Sequence, residues 1–303
     1  MSISVHSSII ILESSMYHIP SFIHIYGKGV IENPNLEKVS AYLKSLLLDS
    51  VIDLRTDFVS YYLTSLDPAK KDKEIDSLAK KLAEIRVLNP TKQNLNPDPL
   101  YAEIEYEKKK ILNPSTKSIG VFYDGFELQN IYRDLLIPPH PPLEKGGRGD
   151  FPFAHAHIIF TNQLFATWEG DDRRYHTRAS IYGFPSIIST SGIVEAPAKP
   201  REFYLLKQQY GVIGRDDLAL SEFKRKFKGR FIDYNDPRLT DVSKGYTAQA
   251  LFFHITGEPF CDDKGCRLFN AHWQEELIYS QLESPYEFCE KHAGILEIVR
   301  GKS

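Results

Sequence analysis

The chain is short of cysteine, shows no excess of positive charge and lacks a long apolar run. Each shortage removes a class of function. Only three cysteines occur in 303 residues, Cys261, Cys266 and Cys289. Three cannot pair off as disulfides, so a disulfide-stapled scaffold is excluded and the thiols are expected to stay reduced. Lys and Arg number 37 against 40 Asp and Glu, a formal net charge of -3. That balance offers no basic footprint for nucleic acid and no acidic tail. The most basic run, residues 223–230 (FKRKFKGR), spaces Phe223 and Phe227 four apart. It reads as an amphipathic helix with its lysines in solvent. No apolar stretch approaches the ~18 residues of a membrane span. The N-terminal run SIIIL is short and has no Lys or Arg before it, so it does not read as a signal peptide. A cytoplasmic location is the resulting expectation, with no nucleic-acid or membrane partner.

What remains is enough to fold. Hydrophobic residues make up 42% of the chain, which can bury the core of one large domain or two modest ones. SFIHIY (21–26) alternates as a strand does, NPNLEKVSAYLKSLL carries helical spacing from Leu36 to Leu47, and SVIDLR (50–55) reads as a second strand. Charged helices follow within residues 66–86 and 100–112, separated by a Pro/Asn-rich connection. SIGVFYDG is a buried strand ending in a turn at Asp124-Gly125, and GFELQNIYRDLL is a short helix. Residues 137–152 are crowded with proline and glycine and can build no core, so they read as an exposed loop whose deletion is harmless. The fold resumes with a strand at AHAHIIF and two short strands around Gly183-Phe184-Pro185. A helix follows Pro200, and another spans 241–257 with Asp241 as N-cap and Gly257 as terminator. Alternating strands and helices imply an α/β (α+β) class. The organisation expected is a flexible extension at 1–20, an α/β region at 21–136, the insert at 137–152 and a C-terminal region at 153–303.

All three cysteines fall near the C-terminus, as Cys261-x4-Cys266 and then Cys289-x2-His292. Thiolate and imidazole donors suit Zn²⁺ in a closed tetrahedral site. The spacer between the two pairs, AHWQEELIYSQL, has room for a helix. The bland alternative is three buried free thiols and a surface histidine. Clustering of every cysteine with a well-spaced histidine favours one structural zinc per chain, holding the C-terminal segment to the preceding helix.

The same stretch resembles the archaemetzincins, zinc peptidases whose pattern is HExxHxxGxxHC, then x4, Cys, x, Met, and later CxxC. ALFFHITGEPFC (250–261) lies on that pattern without a gap. His254 falls on the second His, Gly257 on the glycine and Cys261 on the terminal Cys. Cys266 follows at x4, Leu268 stands at the Met, and Cys289 with His292 stands at the CxxC. The likeness covers roughly residues 153–296. It implies a metzincin-like twisted mixed sheet with an active-site-type helix, and the accessory zinc site. It does not imply the catalysis, because Ala250 replaces the first His, Leu251 the general-base Glu and Phe260 the third His. A metzincin needs three imidazoles for its zinc and the Glu to deprotonate the bound water. The chain also resembles a less-characterised branch of metallopeptidase homologues.

The resemblance leaves two functional expectations. The first is a fold emptied of peptidase chemistry that binds a peptide or protein partner. The second is a hydrolase with a relocated catalytic zinc. Its candidate ligands are the remnant His254, His157 (with His155 on one face of a strand), His176 in a loop with Asp171, Asp172, Arg173 and Arg174, and the helical cluster His272, Glu275 and Glu276. For this last cluster the bland reading is a solvated helix face with Trp273 and Leu277 turned inward.

Overall fold

The computed structural model describes residues 17–93, 95–116, 120–136, 154–212 and 225–301. The insert at 137–152, Phe223 and most of the N-terminal extension lie outside the described residues.

The chain opens with β1 (Phe22–Tyr26), α1 (Leu36–Leu46) and β2 (Val51–Arg55), a β–α–β unit whose strands pair in parallel. The side chain of Asn35 caps α1 by accepting from the Lys38 N–H at 2.8 Å. Three helices follow, α2 (Phe58–Thr64), α3 (Pro68–Glu84) and α4 (Tyr101–Leu112). Strand β3 (Phe122–Asp124) then runs directly into α5 (Gly125–Leu136). Beyond 154 come β4 (His155–Thr161), β5 (Leu164–Glu169), β6 (Arg174–Arg178), β7 (Ser180–Ile181) and β8 (Ser186–Ser189). Helices α6 (Thr190–Glu195), α7 (Arg201–Val212) and α8 (Leu239–Thr256) lead to α9 (Gln274–Ile278), a π-helical turn at Tyr279–Glu283, and α10 (Glu290–Val299).

The class is mixed α/β. One sheet has the order β2-β1-β4-β8-β7, parallel except for its edge strand β7. It draws strands from both sides of the 137–152 insert. A second sheet has the order β3-β5-β6, with β5 and β6 antiparallel. Alternation along β1 and β4 divides the larger sheet into two faces. Ile23, Ile25, Ile158 and Phe160 pack with α1 and α8 on one face. Tyr26, Ile159 and Ile187 pack with α2, α3 and α5 on the other.

Helix α8 is buried on almost every side, with Leu251 and Phe252 fully enclosed and Ser243, Thr247 and Gln249 among its buried polar residues. It starts two residues earlier than the expected 241, and Asp241 lies in its first turn instead of capping it. It stops where the sequence indicates. Gly257 adopts φ +80°, and its N–H bonds the Phe253 carbonyl at 2.8 Å. A left-handed C-terminal residue is the ordinary place for glycine. Of the basic run, residues 227–229 form a turn and not a continuous helix, and Phe227 is buried. No helix among the described residues is long and apolar enough to cross a membrane.

Beneath α4 lies a buried charge cluster. The fully buried Glu107 carboxylate accepts from Arg86 Nε at 2.7 Å and from the Tyr123 hydroxyl at 2.9 Å. Burial pushes the nearby Lys110 ammonium down to about 8.

Candidate functional site

Past Gly257 the chain makes a compact loop. The Cys261 N–H donates to the Leu268 carbonyl at 3.0 Å, and the Cys266 N–H donates to the Asp263 carbonyl at 3.0 Å. The Asp263 carboxylate also accepts from the Gly265 N–H at 2.9 Å and from the Tyr286 hydroxyl at 2.8 Å. These bonds turn both thiols to one side of the loop. Cys289 is the N-cap of α10, so His292 lies in the first turn, three residues on. That spacing brings His292 Nδ1 to 3.1 Å from Cys289 Sγ. His292 is buried and stands edge-on to Phe252 of α8, with ring centres 5.3 Å apart.

One donor atom from each of Cys261, Cys266, Cys289 and His292 lies within 4.8 Å of the other three. The Cys261 and Cys289 sulfurs are 3.8 Å apart, and Cys266 Sγ is 3.6 Å from His292 Nδ1. Bonds of ~2.3 Å to sulfur and ~2.0 Å to nitrogen at tetrahedral angles give edges of about 3.8 and 3.5 Å. Two edges match, and the Cys289–His292 edge is short by about half an ångström on the same reckoning. The donors therefore fit a tetrahedral ion. Burial pushes Cys266 up to about 12 and raises Cys261, while burial lowers His292. Without a cation, burial favours the neutral forms of Cys261, Cys266 and His292. A divalent ion supplies the charge that makes thiolates stable there.

The helix positions of the resemblance carry no such donors. Ala250 and Leu251 are 3% and 0% exposed and belong to the main core. His254 is half-buried near the end of α8. Phe260 is 41% exposed and packs edge-on against Tyr182 at 5.7 Å. Between Gln249, Phe253 and Phe260 on one side and the second sheet on the other opens a cleft of about 600 Å³. Phe253, Phe260, Tyr182, Arg178 and His272 line it, together with Ser180 and Ile181 of the two-residue edge strand β7.

The other candidate ligands are dispersed. His176 and Arg174 lie on β6 and not in a loop, and both hold Asp172, at 2.6 and 2.8 Å. His272 precedes α9 instead of lying on it. Glu276 accepts from the backbone N–H of His272 at 3.1 Å, and Glu275 is paired with Arg230 at 2.7 Å. Leu277 is buried as the bland reading has it, but Trp273 is 45% exposed. Among the described residues, the Cys/His quartet is the one group of three or more such side chains whose donor atoms converge.

His157 does have polar company that the sequence left unread. His155 and His157 share a face of β4 with His24 of β1 and Asp53 of β2. His24 Nδ1 lies 2.5 Å from Asp53 Oδ1, and His24 Nε2 lies 2.9 Å from His155 Nδ1. Arg55 donates to Asp53 at 2.8 Å and to the Tyr26 hydroxyl at 2.9 Å, and that hydroxyl meets His157 Nδ1 at 3.0 Å. Burial lowers His24 and takes His157 down to about 3. Burial works against the Asp53 carboxylate, but the bonds from His24 and Arg55 outweigh it and hold Asp53 low. The signal was present in part, as polar residues at matching places in FIHIY, VIDLR and HAH. What was missing was the strand order.

The described residues thus form a mixed α/β fold with a convergent Cys3His donor set that could hold a metal ion, and a cleft beside helix α8. The model of the Probable metallopeptidase family (DUF6775) matches residues 19–299, and the chain belongs to that family. No curated protein and no solved structure matches it.

Proposed function

We propose that the protein is an archaemetzincin-like member of this family that has exchanged zinc hydrolysis for binding. Cys261, Cys266, Cys289 and His292 hold a structural zinc. The cleft takes an extended peptide or protein segment beside β7. The observation that carries this reading is the burial of Ala250 and Leu251, at 3% and 0% exposure, where the resemblance calls for a zinc ligand and a general base. Methyl and isobutyl groups sealed in a core neither bind a metal nor take a proton from water. The cleft lined by Gln249 and Phe253 of the same helix has features that suit a peptide. Strand β7 is an edge, so a bound chain can add to the sheet through its backbone. Phe253, Phe260 and Tyr182 offer apolar surface for alternate side chains, beside the ion pair of Arg178 with Glu169.

The test is to add zinc-loaded protein to a labelled pool of random decapeptides and to follow anisotropy and cleavage together. Saturable binding without new termini is expected, weakened by Phe260→Ala. Cleavage that survives Cys266→Ala would reveal a catalytic metal elsewhere and overturn the proposal. Absence of binding would remove its second half.

A further inference from the structure

The four donors of the quartet are unequally placed. Cys266 and His292 are buried, at 0% and 3% exposure, and Cys266 belongs to the main core. Cys261 and Cys289 are half-buried and pack only at the margin of that core, so the quartet meets solvent through them. The sulfurs of this outer pair stand 3.8 Å apart. They come from separate pieces of chain, the loop after Gly257 and the N-cap of α10. Neither residue lies within a helix, and a shift of about 1.7 Å would bring the two sulfurs to the ~2.05 Å of an S–S bond.

Exposure decides which thiols react. A partly exposed thiolate is the nucleophile of sulfur chemistry, and a cysteine sealed in a core is inert. Cys261 and Cys289 are therefore the reactive members, and Cys266 is protected. Burial raises the Cys261 thiol, while the Asp263 N–H, 3.4 Å from its sulfur, pulls the other way. Held to a cation, both outer sulfurs are thiolates. The oxidant they suit is a small peroxide. One thiolate attacks a peroxide oxygen, the O–O bond breaks, and hydroxide leaves a sulfenic acid behind. The second thiolate attacks that sulfur, the S–S bond forms, and a second hydroxide leaves. The two sulfurs give up one electron each, and the peroxide is reduced to two hydroxides.

We propose that Cys261 and Cys289 form a peroxide-sensitive dithiol, a modification site at which one disulfide replaces the zinc as the link between the loop and α10. The exchange of disulfide for zinc rests on the zinc reading given above. Oxidation removes two of the four donors at once. Cys266 and His292 remain, 3.6 Å apart, and two donors do not close a tetrahedral shell. The ion is released, but the loop stays tied to the helix by a covalent bond across 28 residues of chain. Oxidised protein therefore differs from chelated protein, in which nothing joins the two segments.

The experiment counts zinc in the full-length protein, adds hydrogen peroxide, and follows zinc release with a chromogenic chelator. Remaining thiols are then alkylated, and the chain is cut with trypsin without reduction. Cleavage after Lys264 and Arg267 places the three cysteines on three different peptides, so mass spectrometry reads the pairing directly. Release of the zinc is expected together with a cross-link between the Cys261 and Cys289 peptides, and with Cys266 alkylated. A thiol reductant and added zinc should reverse both changes. Cys266→Ser should form the same cross-link, and if that variant misfolds the wild-type peptide map decides alone. A cross-link that includes Cys266, sulfinic acids without a cross-link, or thiols that survive excess peroxide would overturn the dithiol. Protein that holds no zinc before oxidation would remove the exchange with zinc, and the same map would still judge the dithiol.

Discussion

Two stretches joined by a single turn have opposite characters. Residues 250–254, the end of α8, are packed with apolar side chains, and Leu251 is wholly enclosed. From Cys261 onward the loop and α10 gather three sulfurs and an imidazole within 4.8 Å. The first stretch matches a metal-binding motif in frame and lacks its donors. The second departs slightly in frame and keeps a full set. The difference teaches that the capacity to hold a metal rests on donors and not on spacing. A helix can hold its place in a fold on packing alone, because its backbone bonds are satisfied internally whatever the side chains do. A loop closing on an ion has no such reserve. If the ion goes, buried thiols and a buried imidazole are left without their common partner.

Removing the metal is therefore expected to have the largest effect. Structural zinc contributes about 10–16 kcal/mol in small zinc-finger peptides. Here the sheets keep a core of their own, so only part of that should appear as lost stability. Chelation, or Cys266→Ala, is expected to lower the melting temperature by on the order of 10 °C, with α10 losing hydrogen-exchange protection first. A metal-depleted protein with an unchanged melting curve would erase the contrast between the two stretches.

Leu251→Glu attacks the other side of the comparison. It restores the general-base residue of the resemblance at a position with 0% exposure. A carboxylate buried among Phe252, Ile255 and Ala248 without a partner should cost about 3 kcal/mol or more, a fall in melting temperature of roughly 6–12 °C. Zinc content should stay the same. A stable variant that gained a second zinc would show that the helix end still opens as a catalytic cleft.

Lys110 measures what burial of a titratable group costs where no metal is involved. Its ammonium is pushed down to about 8, chiefly by burial, against the pull of Glu107 and Asp57 and with the push of Arg86. The folded value lies below the unfolded one. Between the two the unfolded chain binds more protons, so stability rises with pH through that window. Below pH 8 the cost of the buried charge is fully present. Relative to Lys110→Met, the wild type should gain on the order of 2 kcal/mol between pH 8 and about 9.5, read from urea melts. A flat difference would mean that Lys110 is solvated and that burial is a poor guide to the quartet as well.

How much of this was legible depended on sequence distance. The quartet spans residues 261 to 292, and its geometry follows from a loop and one helical turn, so spacing and donor chemistry sufficed to gather it. The β–α–β start and Gly257 were readable for the same local reasons. His24 and His155 are 131 residues apart in sequence. They meet only because β1 pairs with β4, and alternation reveals the face a residue takes but not the neighbouring strand. The helical reading of HWQEE failed locally. The Glu276 carboxylate caps the N-terminus of α9, so His272 was left outside a helix that its spacing seemed to include.

Gly257→Ala should produce the smallest effect, and it asks whether the two stretches are independent. Gly257 holds φ +80°, and a Cβ there would meet nothing within 4 Å. The cost is therefore one of backbone conformation alone, about 1 kcal/mol, or roughly 2–4 °C in melting temperature. Zinc stoichiometry should not change, because Cys261 is held by its own bond to the Leu268 carbonyl at 3.0 Å. Loss of zinc in this variant would show that the turn, and through it the end of α8, sets the position of Cys261. The helix would then still be part of a metal site, as a support for the ligand in the following loop and no longer as the source of the ligands themselves.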